Sequence, residues 1–441
     1  MTSRALILVA LVALAAGTAT AETTRLDARL DLMHLTTIPN DGALQNRSEL
    51  RVAADAHAGR FELHLDGRVR WDWEDGGEVA HWISQAYVQY DPTRRVFLAL
   101  GRQVIPAAAA ARVDGLHLGL RVGDTLVVGV FGGLMPHPLT NEWNADFATA
   151  GLDYDVRGRR LQNQGGVVFQ LFGADLDRVY LTERLAFRPS PQWTLFGFAL
   201  VDLLAVQPAS AVSGASLSNH GHVDLTSGQA MVRFAPVSTF DLTLTGGHTH
   251  SVLPTLWWRS WVEEQRLKRG LVIDGPLPVG TRRTSGQLVA NLRLGRVLWP
   301  YASFRYDYRH EDDRQGFDAR GGLKLLLGAR GYAEVAYSYR RFFVVDNQLA
   351  EVRGEVDVTP ALTLDLGLAV MHSRPLASAP GDGLQPVHGV IFDGEASVWV
   401  HFGGLSRRLR GLDLQLLYQA FVEPGVLCQI AMARLSYRLR R

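Results

Sequence analysis

Arginine and carboxylate side chains recur at alternate positions in several segments of the second half of the chain. Guanidinium groups stay charged at any ordinary pH and offer forked donors to carboxylates, phosphates and sugar hydroxyls. Because residues two apart in a strand point to the same face, the pattern predicts a polar wall that lines a water-filled pore. The predicted pore-lining residues are Arg293, Arg305, Asp307, Arg309, Arg320, Glu334, Arg340, Arg353, Glu355 and Asp365.

Two interpretations of this polar set remain open. Rings of basic residues favour anions in pores, which would make an anion-selective site. The carboxylates share the same face, however, so cross-strand ion pairs would neutralise the arginines and leave a mixed-charge, weakly selective lumen. Arg305, Arg309, Arg320 and Arg340 lie on three consecutive predicted strands. We therefore expect a mild preference for anionic or polar, sugar-like solutes.

Arrangements for catalysis or metal binding are weak in this sequence. The histidines of the pairs His220 and His222, and His248 and His250, would share one face of a strand, but no nearby cysteine or regularly spaced carboxylate completes a four-ligand site. A barrel-embedded lipase of the His-x-Ser type needs both residues on one strand face, and no histidine here is followed by serine two positions later. The sequence therefore predicts no catalytic residue, no metal and no cofactor.

A tryptophan-rich loop, residues 251–280, is a candidate constriction. It contains Trp257, Trp258 and Trp261, followed by a charged stretch. Folded inward, the loop would narrow the pore; resting outward, its tryptophans would lie at the membrane interface. The sequence does not choose between these two positions.

The elements that must position these residues are strands. Apolar and polar residues alternate in 22 segments of roughly ten residues, which is typical of a transmembrane β-barrel. In segment 361–373, for example, Leu364 and Leu366 alternate with Asp365 and Gly367. Because weak segments between residues 95 and 187 could merge, we predict a single all-β domain, residues 22–441, with about 18–22 antiparallel strands. A soluble β-sandwich also alternates and is the competing fold.

Connection lengths favour the membrane barrel over the sandwich. Every second connection is a tight turn, such as Asp91-Pro92-Thr93-Arg94 or Gly328-Ala329-Arg330. The longer connections all belong to the other set, as expected for short periplasmic turns and long external loops. These predicted external loops are residues 36–46, 104–113, 134–145, 204–221, 251–280 and 374–390.

The N-terminus predicts export. Arg4, a short apolar stretch and Ala19-Thr20-Ala21 form a signal peptide over residues 1–21. Strands begin directly after it, which leaves no room for an N-terminal plug domain. The lone Cys428 permits no intramolecular disulfide, and the balance of 45 basic and 44 acidic residues gives no reason to expect a nucleic acid partner. No later apolar stretch is long enough for a membrane helix.

Segment 85–133 carries a family resemblance. Gly101-Arg102-Gln103 and Asp114-Gly115-Leu116 resemble the GRQ and DGL pattern of proteobacterial porin-like outer-membrane proteins, including the alginate-export type. The resemblance implies a monomeric passive channel with a polar, arginine-bearing lumen. Arg102 could lie in that lumen, where its guanidinium would hold polar solutes or brace an external loop through a carboxylate such as Asp114. The alternative, which we favour, is a structural role at the end of the strand. The chain departs from the family by ending in two arginines instead of an aromatic residue.

These observations predict a porin-like channel of the outer membrane for passive diffusion of small polar or anionic solutes. Its partners would be outer-membrane lipid, the barrel-assembly machinery and the solute. The alternatives are a barrel-embedded lipid hydrolase and a non-conducting scaffold or adhesion barrel.

Overall fold

The chain forms one closed antiparallel β-barrel of 22 strands. The computed structural model describes residues 24–39, 44–73, 78–137, 141–173, 175–205, 223–250, 282–310, 313–342, 345–375, 389–406 and 409–440. The predicted signal peptide and the tryptophans of loop 251–280 lie outside these residues.

The strands are β1 (Thr24–Ile38), β2 (Gln45–Ala58), β3 (Phe61–Asp72), β4 (Glu78–Tyr90), β5 (Val96–Ile105), β6 (Ala111–Val122), β7 (Leu126–Leu134), β8 (Phe147–Arg157), β9 (Leu161–Phe172), β10 (Asp175–Ser190), β11 (Trp193–Ala205), β12 (Asp224–Val237), β13 (Phe240–His250), β14 (Arg282–Leu292), β15 (Leu298–Arg309), β16 (Arg314–Leu326), β17 (Gly331–Phe342), β18 (Val345–Thr359), β19 (Leu362–Pro375), β20 (Gly389–His401), β21 (Leu412–Glu423) and β22 (Val426–Arg440).

Closure is made by the first and last strands. Strand β1 pairs with β22 from Asp27 opposite Arg440 to Ile38 opposite Gln429. Each of the other strands pairs antiparallel with the strands before and after it in sequence, as between β1 and β2 or between β21 and β22. Because the sheet closes on itself, it has no free edge whose backbone groups would need water.

The two faces of the sheet differ in chemistry. On β19, Leu364, Leu366 and Leu368 are exposed on one face, while Thr363 and Asp365 lie on the other. Exposed aliphatic residues recur on the outer face of strands around the barrel, while the inner face is polar on most strands. A single closed sheet with an exposed aliphatic surface is suited to span a lipid bilayer. It contradicts the soluble sandwich, which would bury such a face against a second sheet.

The two ends of the barrel carry different connections. The turn rim, where the N- and C-terminal ends of the described chain lie, has short connections at residues 59–60, 91–95, 123–125, 158–160, 191–192, 238–239, 293–297, 327–330 and 360–361. One longer connection there, residues 402–411, contains the four-residue helix Phe402–Leu405. The opposite end, the loop rim, has the remaining connections. In the described ranges, no helix is long and apolar enough to cross a membrane.

Closure can be tested by gel mobility. We expect the purified protein in dodecyl sulfate to migrate faster before boiling than after, because a sheet without edges resists unfolding by detergent at room temperature. A variant truncated after Glu423, which lacks β22, should show no such shift. A full-length protein with one mobility under both conditions would contradict the closed barrel.

Candidate pore and its constriction

The tip of the β5–β6 hairpin leaves the barrel wall. Strands β5 and β6 stay paired as far as Ile105 opposite Ala111. On one side, however, β4 pairs with β5 only up to Arg102, and on the other side β7 pairs with β6 only up to Asp114. Residues 103–105 therefore pair only with residues 111–113, and neither segment pairs with another strand of the wall.

This hairpin tip packs inside the barrel. The Thr182 hydroxyl of β10 donates a hydrogen bond to the Ala107 carbonyl oxygen at 2.7 Å. Thr182 belongs to the inner face, since its neighbours Leu181 and Leu185 are exposed on the outer one. The tip and the inner wall share one buried apolar cluster, in which every residue is at most 7% exposed: Ile105, Ala108, Ala111, Val113, Phe131, Val168 and Tyr180.

A row of glycines allows the hairpin to bend inward. Gly101, Gly115 and Gly133 lie directly opposite one another on β5, β6 and β7. A Cβ atom at Gly101 would be 2.3 Å from the Ala86 carbonyl oxygen, and one at Gly115 would be 2.1 Å from the Gly132 carbonyl oxygen. Gly101 also has φ of +126°, which L side chains rarely adopt. The glycines of the GRQ and DGL motifs are thus required by close backbone contact at the crease.

Arg102 fills the gap that the bent hairpin leaves in the wall. It lies on the outer face with Leu100, where its Nε and Nη2 both donate to the Asp114 carboxylate at 2.6 Å. Its Nη1 donates to the carbonyl oxygens of Ile83, at 3.1 Å, and Asn141, at 2.7 Å. The Ile83 carbonyl belongs to the part of β4 that β5 no longer reaches. Arg102 therefore replaces a lost sheet partner and braces the loop at Asn141; it does not face the lumen.

The remaining motif residue, Gln103, is buried behind the crease. Its side chain is 3% exposed, and its Nε2 donates to the Gly115 carbonyl oxygen at 3.3 Å. The residue thus satisfies backbone groups at the bend, and like Arg102 it has a structural position.

The inward fold corrects one sequence-based expectation. Residues 104–113 were expected to form an external loop, but their tip is buried against the inner wall. A signal was present, because Pro106 is followed by five consecutive alanines, Ala107–Ala111. An external loop would carry polar side chains, whereas small apolar ones can pack closely against another surface. The constriction expected from Trp257, Trp258 and Trp261 lies outside the described residues.

Four of the predicted pore-lining arginines lie on the inner face and are engaged in ion pairs: Arg305, Arg320, Arg340 and Arg353. Asp307, which is 3% exposed, receives the guanidinium of Arg305 at 2.9 Å and that of Arg283 at 2.8 Å. Arg320 lies 3.5 Å from Glu334 and also pairs with Glu351. The next strands continue this ladder, in which Arg340 pairs with Asp318 at 2.7 Å and Arg353 with Asp365 at 3.0 Å.

Three further predicted residues lie at the margins of this ladder. Arg293 follows β14 in a turn-rim connection, and its guanidinium carbon is 4.6 Å from the centre of the Trp299 ring. Arg309 is near the loop rim, opposite Arg283 and Arg314. Glu355 lies on the inner face of β18 opposite Tyr332 and Asp365. Arg293 is thus at the mouth of the barrel and not in its wall.

A second inner-wall ladder was not singled out from the sequence. On β22 and β1, Arg434 pairs with Asp31 at 3.0 Å and Arg438 with Asp27 at 2.8 Å. On β2 and β3 the pairs are Arg51 with Asp66 at 2.8 Å and Arg47 with Asp72 at 2.7 Å. The sequence did contain a signal for this ladder, because Arg47, Glu49 and Arg51 occupy alternate positions of β2. Charged residues alternate in the same way in β15–β18.

The histidine pairs form no metal centre in the described part of the chain. His248 Nδ1 is 3.0 Å from the Thr284 hydroxyl, and His250 pairs with Asp224. No group of three or more potential metal ligands occurs among the described residues. His220 and His222 lie outside them.

Comparisons with known proteins add a distant likeness in fold. No family model matches the chain, and no curated protein matches it. Among solved structures, OpdK of Pseudomonas aeruginosa aligns with a TM-score of 0.48 and 11% identity, over 96% of this chain and 100% of that one. OccK11 (OpdR) of the same organism gives 0.44 and 11%, over 96% and 97%. At these values the likeness carries no argument about solute or mechanism.

The specific resemblance to the alginate-export type gains no support from these comparisons. Its motif residues have structural explanations here, since Gly101 and Gly115 form the crease and Arg102 repairs the wall beside it. None of the three lines the lumen with a side chain.

The brace at the crease can be tested by comparing two ion pairs. Arg102 and Asp114 have side chains only 13% and 12% exposed, so Arg102→Leu leaves a buried carboxylate without its partner. We expect this change to lower the free energy of unfolding by about 3–5 kcal/mol. Arg340→Leu, which breaks a pair whose arginine is 52% exposed, should cost about 1 kcal/mol or less. Equal losses in urea unfolding would show that Arg102 has no special role.

Proposed function

We propose that the protein is a porin-like channel of the outer membrane through which small polar solutes diffuse passively. One observation carries this proposal: a closed sheet presents an aliphatic face outward and ladders of ion-paired side chains inward. Charged side chains on an inner wall are solvated only if that space holds water. A continuous strip of such residues from the turn rim to the loop rim supports a water-filled path.

We infer that the constriction of this path is the β5–β6 hairpin tip. Barrels of this strand number enclose a wide lumen, so an unobstructed one would discriminate poorly between solutes. The tip occupies the space next to β7–β10, and the ion-pair ladders of β14–β19 and β22–β3 lie on other parts of the inner wall. Solutes would therefore pass between a neutral, alanine-rich surface and two polar ladders.

The ion pairing supports weak selectivity. Four inner-wall arginines each form an ion pair with a carboxylate: Arg305, Arg320, Arg340 and Arg353. The electrostatic field in the lumen is therefore that of a mixed-charge surface. Salt further screens it over about 8–10 Å at physiological ionic strength. We expect a mild preference for anionic or polar, sugar-like solutes, passing through a monomer.

The lipid-hydrolase alternative has weaker support. A serine and a histidine do meet on the outer face, where His34 Nδ1 is 2.9 Å from the Ser48 hydroxyl. The other ring nitrogen is 3.3 Å from the Thr36 hydroxyl. A neutral hydroxyl in that position would not stabilise the imidazolium that forms when histidine acts as the general base. The non-conducting scaffold remains the stronger rival, and conductance separates it from a channel.

Conductance in a planar bilayer tests the proposal. The wild-type protein should give stable current steps. Arg305→Glu and Arg340→Glu should each shift the zero-current potential toward cation preference in a salt gradient, because each removes a positive charge from the inner wall and adds a negative one. The matched control is Arg341→Glu: Arg341 is next to Arg340 but lies opposite Phe317, on the outer face.

Two outcomes would contradict this reading. Absence of current steps from correctly folded protein would favour the scaffold. An open pore with no shift in either inner-wall variant, or with an equal shift in Arg341→Glu, would remove the assignment of these arginines to the lumen.

A further inference from the structure

The inner wall near the loop rim contains an apolar patch that no motif predicted. On β1, Asp31, Met33 and Leu35 share the inner face, and Asp31 is buried in ion pairs there. Leu35 lies directly opposite Met432 of β22, which in turn lies opposite Leu417 of β21. The inner-wall patch comprises Met33, Leu35, Leu417, Phe421, Ile430 and Met432.

The orientation of the patch follows from the residues that alternate with it. Leu32, Leu416 and Leu435 are among the exposed aliphatic residues of the outer face. Leu32 directly precedes Met33 in β1, Leu416 directly precedes Leu417 in β21, and Leu435 directly follows Arg434 in β22. A one-residue step reverses the face in a strand. The patch therefore points into the lumen and not toward lipid.

Among the described elements, only neighbouring wall strands and the short helix Phe402–Leu405 at the turn rim make extensive contact with the strands that carry this patch. The apolar inner surface of β7–β10 is different, because the hairpin tip covers it and leaves Phe131 and Val168 at most 2% exposed. An apolar surface that faces water costs free energy, and such surfaces commonly mark binding sites.

The border of the patch is polar, and its arginines are ion-paired. On the β20 side, Asp393 lies directly opposite Phe421 and accepts hydrogen bonds from Gln419. Arg47 lies directly opposite Leu35 and pairs with Asp72 at 2.7 Å. Arg434 lies opposite Met33 and pairs with Asp31. These pairs and the nearby Gln415 and Gln419 offer hydrogen-bond donors and acceptors to a neutral polar group. They have less to offer an isolated anion, which would compete with carboxylates already in place.

We propose that the inner-wall patch binds the hydrocarbon part of uncharged amphiphiles, such as alkyl or aryl glycosides, while their hydroxyl groups contact the polar border. This inference rests on the proposed channel function and names a solute class for it. Each methylene that moves from water onto the patch strengthens binding by up to about fourfold. A neutral hydroxylated head leaves the ion pairs of the border intact.

A chain-length series tests the proposal. Glucose, butyl glucoside and hexyl glucoside are added at equal concentration, below micelle formation, to the protein conducting in a planar bilayer. We expect glucose to have little effect and the half-blocking concentration to fall about two- to fourfold per added methylene. Hexanoate, which has a comparable chain and a charged head, should block more weakly than hexyl glucoside.

Variants locate the block. Leu417→Gln and Met432→Gln should raise the half-blocking concentration of hexyl glucoside about fivefold or more, because each removes apolar surface from the patch. Met231→Gln is the matched control, since Met231 lies opposite Phe196 on the inner face of β12, away from the patch. A block without chain-length dependence, or one weakened equally by Met231→Gln, would overturn the proposal.

Cys428 provides a second readout that needs no current. It is the only cysteine in the chain and lies opposite Phe421 on the inner face. Hexyl glucoside should slow its modification by a water-soluble thiosulfonate, and glucose should not. Modification at unchanged rate would overturn the proposal while leaving the channel function intact, whereas a folded protein that never conducts would remove the channel function itself.

Discussion

Pairing between the first and last strands is the constraint on which the rest of this structure depends. In lipid, backbone amide and carbonyl groups have no water to bond, so a sheet can cross only if it has no edge. The β1–β22 seam removes the edge, and closure then fixes which face of every strand points outward. The alternation of aliphatic and charged residues follows from that geometry, because one face meets hydrocarbon and the other encloses water.

The β5–β6 hairpin shows how this constraint is relaxed locally. Bending the tip inward leaves the upper part of β4 paired with β3 on one side but without a strand on the β5 side. Unpaired backbone groups at that level would be costly. Arg102 and Asn141 both donate to the Ile83 carbonyl oxygen, and they restore part of the lost pairing. The glycine row permits the bend, and the apolar cluster behind the tip stabilises it.

The sequence predicted the strands well and the bend poorly, for physical reasons. Alternation is a local property that repeats in each segment, so the 22 segments correspond to the 22 strands of the barrel. The path of residues 103–113 depends on distant partners: Thr182 is 75 positions from Ala107, and Asn141 is 39 positions from Arg102. Ion-pair partners such as Asp318 could not be assigned from the sequence either, because the pairing of Asp318 with Arg340 depends on the register between β16 and β17.

The most direct test of this account asks whether the hairpin tip touches the inner wall. In a Cys428→Ser background, Ala107→Cys and Thr182→Cys are combined and the folded barrel is treated with a short bifunctional thiosulfonate. The account predicts efficient intramolecular cross-linking, seen as a reducible change in mobility of the denatured chain. Replacing Thr182→Cys by Leu181→Cys, one residue away on the outer face, should abolish it. Cross-linking that is absent at position 182, or equal at position 181, would contradict the infolded hairpin.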